Sequence, residues 1–430
     1  MPSSKRSRTF TRSVSAGSLT SSKRQLLRCL DRLKDRMLDV SRELYLRPEL
    51  SGQEQHACAL LCGILEEAGF EVEQGVGGLE TAFMARLSRG RGSNVGILLE
   101  YDALPGIGHG CGHNLIAASG LAAGLALANV NRSWRGTLTL FGTPAEETFG
   151  GKAVLSDAGV FDGLDGALIV HGGHENRVFT ESLACGSFEV VFTGRAAHAV
   201  VCPEKGVNAL DALVQLYVGL SLAKKSLGQG VKVVGVILEG GERANLVPAR
   251  AVGHFSVRAP NHAQRRAAHR RVVRLVESVS RASGTRFSLR PTDAPYMEMR
   301  TNHALALLAR DNFDLIGRRT NDAPRASMGS IDMGNVSQRA PSVHLYVDLG
   351  AGSVPAHTRQ FARATQAPNG RRATLAGAQV LALTALDLFC GKVARRGIRT
   401  EFLKMKKHAR LEGGGKRRLH GLSRTGKEIG

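Results

Sequence analysis

Seven residues, Gly108-His-Gly-Cys-Gly-His-Asn114, constrain this chain more than any other stretch. Three glycines in so short a run let the backbone bend sharply. Before the run lies Asn94-Val-Gly-Ile-Leu-Leu-Glu-Tyr-Asp102, a continuous apolar segment closed by acids, which predicts a buried parallel strand. After it, residues 115–130 are rich in Ala, Leu and Gly without Pro and predict a helix packed closely on a sheet. The turn therefore falls at the carboxyl end of a strand, where open α/β sheets build their sites. There Cys111 and His113 offer a thiolate and an imidazole, a pair suited to a borderline-soft divalent metal.

An isolated Cys-x-His is more often packing than a metal site. Here Glu146 and Glu147 follow a second apolar strand, Gly136-Thr-Leu-Thr-Leu-Phe-Gly-Thr-Pro144. Adjacent carboxylates past a strand end are costly unless solvated, paired or metal-bound. His171 follows a third such strand, Gly166-Ala-Leu-Ile-Val170. Three strand ends thus direct Cys, His, Glu and His towards one edge, and a metal site becomes the better reading.

Around this core the periodicities predict a helix over 25–45, a second over 53–68 with Ser51 as N-cap, and strands at 70–73 and 81–87. The pattern changes after His174. A strand (183–194), a helix (206–227, with Leu210, Leu213, Val214 and Tyr217 on one side) and two strands (231–238, 251–257) follow. An Arg-rich helix (262–283) and a strand (286–290) complete a β-α-β-β-α-β order, that of a ferredoxin-like unit. Helices at 303–314 and 373–389 and a strand at 343–349 then resume the first pattern. The expected fold is α/β, with a catalytic domain in two parts (25–179 and 295–392), a ferredoxin-like α+β insert at 180–294, and basic tails at 1–24 and 393–430.

The net charge of +21 sits mainly in those tails. Residues 1–25 carry six Lys/Arg and no acid, and residues 391–430 carry thirteen against three Glu. The body is close to balanced, and no nucleic-acid-binding module is present, so no specific nucleic-acid partner is expected. No apolar run approaches the ~20 residues of a membrane span. Seven irregularly spaced cysteines without a signal-peptide core fit reduced thiols. The expected location is cytoplasmic, with mitochondrial import as the alternative because the first 25 residues are Arg- and Ser/Thr-rich.

Five ordered motifs carry a family resemblance. Leu99-Glu-Tyr-Asp-Ala-Leu-Pro-Gly-Ile-Gly-His-Gly-Cys-Gly-His-Asn114, Gly142-Thr-Pro-Ala-Glu-Glu147, Gly194-Arg-Ala-Ala-His198, Asp332-Met-Gly-Asn-Val-Ser337 and His357-Thr358 resemble the aminoacylase/carboxypeptidase family of two-metal peptidases, M20. Within it the chain is most similar to the amidohydrolase branch of aminobenzoyl-glutamate hydrolase and the animal β-alanyl-lysine-type dipeptidases. The resemblance implies a zinc-exopeptidase-like catalytic domain with an inserted lid and dimerisation domain. It implies metal ligands at Cys111, His113, Glu147, His171 and His357, and Glu146 as the general base that activates water. It also implies that His198 stabilises the oxyanion, commonly from a partner subunit's lid, and that Asn245 and Arg258 hold the substrate.

The implied activity is hydrolysis of the amide of small dipeptides or N-acyl amino acids, β-alanyl dipeptides ending in Lys, ornithine or Arg being the first expectation. Two divalent ions are implied, with Zn²⁺ preferred for the thiolate and Mn²⁺ next, in a homodimer. Asp102 either orients a ligand or is a solvated strand-end acid. His109, His174 and His344 are read as structural, and Gly110 stands where an Ala is expected. Two other readings remain: a catalytically silent regulatory subunit that only binds, and a Cys111 nucleophile, for which His113 lies awkwardly close in sequence.

Overall fold

The structure, a computed structural model, describes residues 20–130, 133–223, 227–323, 329–352 and 354–412. The amino-terminal half runs α1 (Ser21–Leu46), α2 (Gln55–Glu67), β1 (Glu71–Gln74), β2 (Phe83–Ser88), β3 (Ser93–Leu99), α3 (His113–Asn129), β4 (Gly136–Gly142), α4 (Gly151–Asp157) and β5 (Gly166–Gly173). The insert follows as β6 (Ala184–Thr193), α5 (Ala209–Leu222), β7 (Lys232–Glu239), β8 (Arg250–Ala259), α6 (His262–Ser283) and β9 (Arg286–Pro291). The chain closes with α7 (His303–Leu315), α8 (Met333–Arg339), β10 (Ser342–Asp348), α9 (Arg359–Gln366), α10 (Pro368–Cys390) and α11 (Lys392–Glu412).

The larger sheet has the order β1-β2-β4-β3-β5-β10. Strands β4, β3, β5 and β10 are parallel, whereas β1 and β2 pair antiparallel at one edge. The parallel strands are apolar throughout because helices cover both faces. On one side α1, α3 and α10 pack in a layer whose core includes Leu30, Leu121, Leu381 and Leu383. On the other, Leu155 of α4 and Met333 and Val336 of α8 meet Leu98, Phe141 and Ile169. Contrary to the expectation that no apolar run approaches the length of a span, helix α10 is long and apolar enough to cross a bilayer, but 78% of its apolar window is buried inside the fold, as suits a core helix.

The smaller sheet is antiparallel, with the order β7-β8-β6-β9. Phe188, Phe192 and Phe255 on one face meet Leu213 and Leu216 of α5 and Val272 and Val276 of α6. This is the β-α-β-β-α-β unit expected from periodicity, and the protein has the two-domain α/β architecture of that expectation.

Three local expectations are corrected. Ser51 does not cap α2; its hydroxyl donates to Asp102 Oδ2 at 2.7 Å, and Glu49 instead accepts the first-turn N–H groups of His56 and Ala57 at 2.9 and 2.8 Å. The buried face of α5 is Ala209, Ala212, Leu213, Leu216 and Leu220, with Val214 and Tyr217 turned outwards. The stretch read as a tail from 393 is helical to Glu412. Ile398 is buried, and Glu401 accepts the N–H groups of His303 and Ala304 at the start of α7, at 2.6 and 2.9 Å. Residues 1–19 and 413–430, the rest of the two expected tails, lie outside the described residues. Because α10 is the buried centre of the larger layer, Leu383→Ala should lower unfolding free energy by roughly 2–5 kcal/mol, read from urea denaturation.

Candidate metal centre

The site is built on the carboxyl ends of β3, β4 and β5. Gly112 enters α3 at φ +79°, a left-handed conformation that a side chain would oppose. This bend places His113 at the first helical position, with Cys111 beside it in the turn. A Cβ on Gly110 would lie 2.8 Å from Ile107 Cγ2 and 3.3 Å from His357 Cα. The expected Ala does not fit there. The glycine lets the His357 loop close over the turn, and the His357 N–H donates to the Gly110 carbonyl at 2.9 Å.

The tautomer of His113 follows from its neighbours. Its Nδ1 lies 2.8 Å from the Asp102 carbonyl oxygen and 2.9 Å from Asp102 Oδ1, both acceptors, so Nδ1 carries a hydrogen and Nε2 faces the cluster. Asp102 Oδ2 also accepts from Ser51 and from the Glu147 N–H, at 2.7 and 3.0 Å. Asp102 is thus buried beside His113 and held by two donors, which excludes the solvated strand-end alternative. Burial opposes its charge, yet His113 and these donors hold the carboxyl well below the usual range. His171 Nδ1 donates to the Gly172 carbonyl at 2.6 Å, which leaves its Nε2 as the free nitrogen.

Three overlapping sets of side chains bring donor atoms within 4.8 Å of one another: Cys111, His113 and His171; Cys111, Glu147 and His357; and His113, Glu146 and Glu147. Cys111 belongs to the first two, the arrangement of a candidate dinuclear divalent-metal site. The charges fit such an occupant. Burial, then Glu147 and Glu146, push the Cys111 thiol far up, so a thiolate there requires a cation. Burial disfavours a charged His113, but Asp102, Glu100 and Glu147 outweigh it and raise its pKa, so a metal on Nε2 would displace a proton. Burial, Asp332 and Glu100 raise the Glu146 carboxyl.

Two residues with strained backbone belong to or adjoin this set. Ala145 (φ +59°) and His357 (φ +64°) are the non-glycine residues with positive φ among those described. Ala145 is held by its N–H to Glu54 Oε1 at 3.0 Å, and buried Glu54 is itself tied to Thr81 and to the Gly52 N–H.

A buried charge cluster beneath the site was not visible in the sequence. Lys152 Nζ lies 2.8 Å from Glu100 Oε1 and 2.7 Å from Asp332 Oδ1, all three side chains being buried. The Lys152 N–H also donates to Asp332 Oδ2 at 2.9 Å. The cluster joins the end of β3, the helix after the glutamate pair and the start of α8. Burial opposes the Glu100 charge, but Lys152 and His113 lower its pKa to about 2. Sequence signals existed for Glu100, as the first acid closing its apolar run, and for Asp332, which opens one of the five motifs, but none for Lys152 or for the contact among the three.

A cavity of about 750 Å³ opens over the donors. It is lined by Cys111, Glu146, Glu147, His171 and His357 and, from the insert, by Arg258. His198 and Asn245 lie elsewhere. Both are exposed on the insert, where the Ala199 N–H donates to the Asn245 carbonyl at 2.9 Å. His174 lines the cavity edge-on to Phe361. His109 is buried against the Leu44 carbonyl, and His344 is buried in β10 beside His171. Lys152→Met leaves two buried carboxylates facing each other and should cost about 3–5 kcal/mol in urea unfolding, part of it recovered by adding Asp332→Asn.

Residues 98–376 match the model of peptidase family M20/M25/M40. The chain is 32% identical to an Xaa-Arg dipeptidase of Mus musculus over 90% of its own length and 94% of that protein's. It is 32% identical to an Xaa-Arg dipeptidase of Homo sapiens as well, over 87% of this chain and 90% of that one. Its fold matches an aminobenzoyl-glutamate utilization protein from Klebsiella pneumoniae (TM-score 0.69, 22% identity, 84% of this chain and 98% of that one). It also matches a dinuclear metal binding peptidase of the M20 family from Bacillus subtilis (TM-score 0.62, 21% identity, 83% and 99%). The donor clusters at the strand ends and the match over most of the chain lead to one conclusion: the protein belongs to peptidase family M20, in its amidohydrolase branch, and is a metal-dependent hydrolase.

Proposed function

We propose that this hydrolase cleaves the amide of small dipeptides or N-acyl amino acids and releases a free amino acid, with β-alanyl dipeptides ending in Lys, ornithine or Arg as preferred substrates. The observation that carries the reading is Cys111, shared between two donor clusters with Glu146 beside them. The Xaa-Arg dipeptidase relatives support a basic leaving residue. In this reading Cys111, His113, Glu147, His171 and His357 hold two divalent ions, Zn²⁺ preferred for the thiolate and Mn²⁺ next. When bound, such a pair supplies Lewis acidity and an acidified water.

The remaining steps belong to the chain. Glu146 takes the proton of the attacking water and returns it to the leaving amine. The Tyr296 hydroxyl donates to the Glu146 carbonyl at 2.8 Å and fixes the backbone that carries it. Arg258 binds the substrate carboxylate through both oxygens. Asp102 keeps His113 in the tautomer that presents Nε2.

His198, the oxyanion donor of this reading, and Asn245 act on the site of a partner copy, which fits their exposure and distance from their own cavity. A homodimer is supported by apolar side chains left outside on the insert: Val200, Val201, Tyr217, Val218 and Leu222, with Val234, Val236 and Leu238 on the edge strand β7. The seven free thiols favour a reducing compartment, the cytoplasm in this reading.

The test is metal content per chain, followed by amino-acid release from β-alanyl and N-acyl substrates with and without chelator. Wild type and Glu146→Gln should both retain about two ions, whereas turnover of the variant should fall by roughly 10²–10⁴-fold. Undiminished turnover would remove Glu146 from its role. Absence of bound metal and of release after Zn²⁺ or Mn²⁺ is restored would favour a regulatory subunit without catalysis.

A further inference from the structure

Among the acids that line the cavity, one is not engaged. Glu146 and Glu147 belong to the donor clusters. Glu175 is occupied at both oxygens, by Arg177 Nε at 2.8 Å and Asn321 Nδ2 at 2.6 Å. Asp293 is half-buried in the same wall and has no hydrogen bond or ion pair among the described residues. A half-buried carboxylate without a protein partner is open to a ligand cation that enters the cavity.

Its position is fixed. Residues 292–295 connect β9 to Tyr296, and the Thr292 N–H donates to the Ser187 carbonyl at 3.2 Å. Cys185 and Tyr296 exchange both backbone bonds, at 3.0 and 2.9 Å, and the Tyr296 hydroxyl reaches Glu146. The segment carrying Asp293 is therefore tied to β6 of the insert at one side and to the proposed general base at the other. On β8, Arg258 stands opposite the same Cys185. Arg258 and Asp293 both act on the Cys185 thiol, with opposite sign, yet no ion pair joins them.

Arg258 is the one Lys or Arg among the described residues of the cavity lining, and Asp293 lines the same cavity, both near enough to Cys185 to act on its thiol. An amino acid with a cationic side chain is the complementary ligand: its α-carboxylate meets the guanidinium and its ammonium or guanidinium meets the carboxylate. We propose that Asp293 is the specificity-determining residue that binds the cationic side chain of the leaving amino acid. The inference rests on the amide-hydrolase reading above and assigns the residue that gives it a basic preference. The free amine of a dipeptide is the other candidate cation, but it lies across the scissile bond from the carboxylate that Arg258 holds.

The experiment compares metal-loaded wild type with Asp293→Asn, full-length, in two ways. Hydrolysis is followed for β-alanyl-arginine, β-alanyl-norleucine and N-acetyl-arginine, and calorimetry measures binding of free L-arginine and L-norleucine, which needs no turnover. The variant should lose roughly tenfold to a hundredfold in the arginine-to-norleucine ratio, both in kcat/KM and in affinity, and the loss should be equal for N-acetyl-arginine. Asp293→Lys should move the preference towards acidic leaving residues. An unchanged ratio in active Asp293→Asn would overturn the inference while the hydrolase reading stands. A loss that follows the free amine, affecting β-alanyl-norleucine and sparing N-acetyl-arginine, would overturn it too. Arginine selectivity lost on substitution in a protein without turnover would uphold Asp293 and overturn the hydrolase reading instead.

Discussion

Buried negative charge without enough positive charge to balance it governs this protein. Glu100, Asp102, Glu146, Glu147 and Asp332 converge with a thiol on one sheet edge, and Lys152 is the buried ammonium among them. In so dry a place each carboxylate must be neutralised by a proton, an imidazole or a cation. The perturbed groups follow from that shortage: the Cys111 thiol, Glu146 and Asp332 are driven up, and Glu100, which has both Lys152 and His113, is driven down. Divalent ions between the donors would relieve the imbalance, and the same imbalance selects for them.

The fold serves this edge at several removes. Parallel strands deliver side chains to one end of the sheet, and helices that cover both faces keep water from the other atoms of the layer. Ser51, which would ordinarily be spent on a helix, instead steadies Asp102, which steadies His113 and the backbone of Glu147. The insert contributes from a separate core, joined to the cavity through the Cys185–Tyr296 bridge. Two separately packed cores thus both line the cavity, an arrangement in which one can be adjusted for substrate while the other keeps the chemistry.

Much of this was legible from the chain because the signals were periodic. Apolar runs that ended in Cys-x-His, Glu-Glu and His marked the sheet edge, and the strand–helix order of the insert gave its topology. What escaped was whatever depends on distance across the fold. Lys152 sits on a short helix among small residues, and nothing local says that it reaches Glu100 and Asp332. Glu54 resembles any surface acid until its contact with Ala145 is seen. Ser51 misled because its capping propensity is local and its Asp102 contact is not. Helix α11 was hidden by its charge; Ile398 and Glu401 anchor it through partners about one hundred residues away. Gly110 showed no purpose until the His357 loop was placed over it.

The two strained residues carry a consequence for how such a centre is assembled. A non-glycine residue at positive φ costs about 1–3 kcal/mol and persists only where its surroundings over-determine it. Ala145 is held by Glu54, a residue at the entrance of α2, and His357 by the turn at Gly110. The energy that holds these two backbone positions is therefore supplied by folding of the segment that enters α2 and of the glycine turn, far in sequence from the side chains they set.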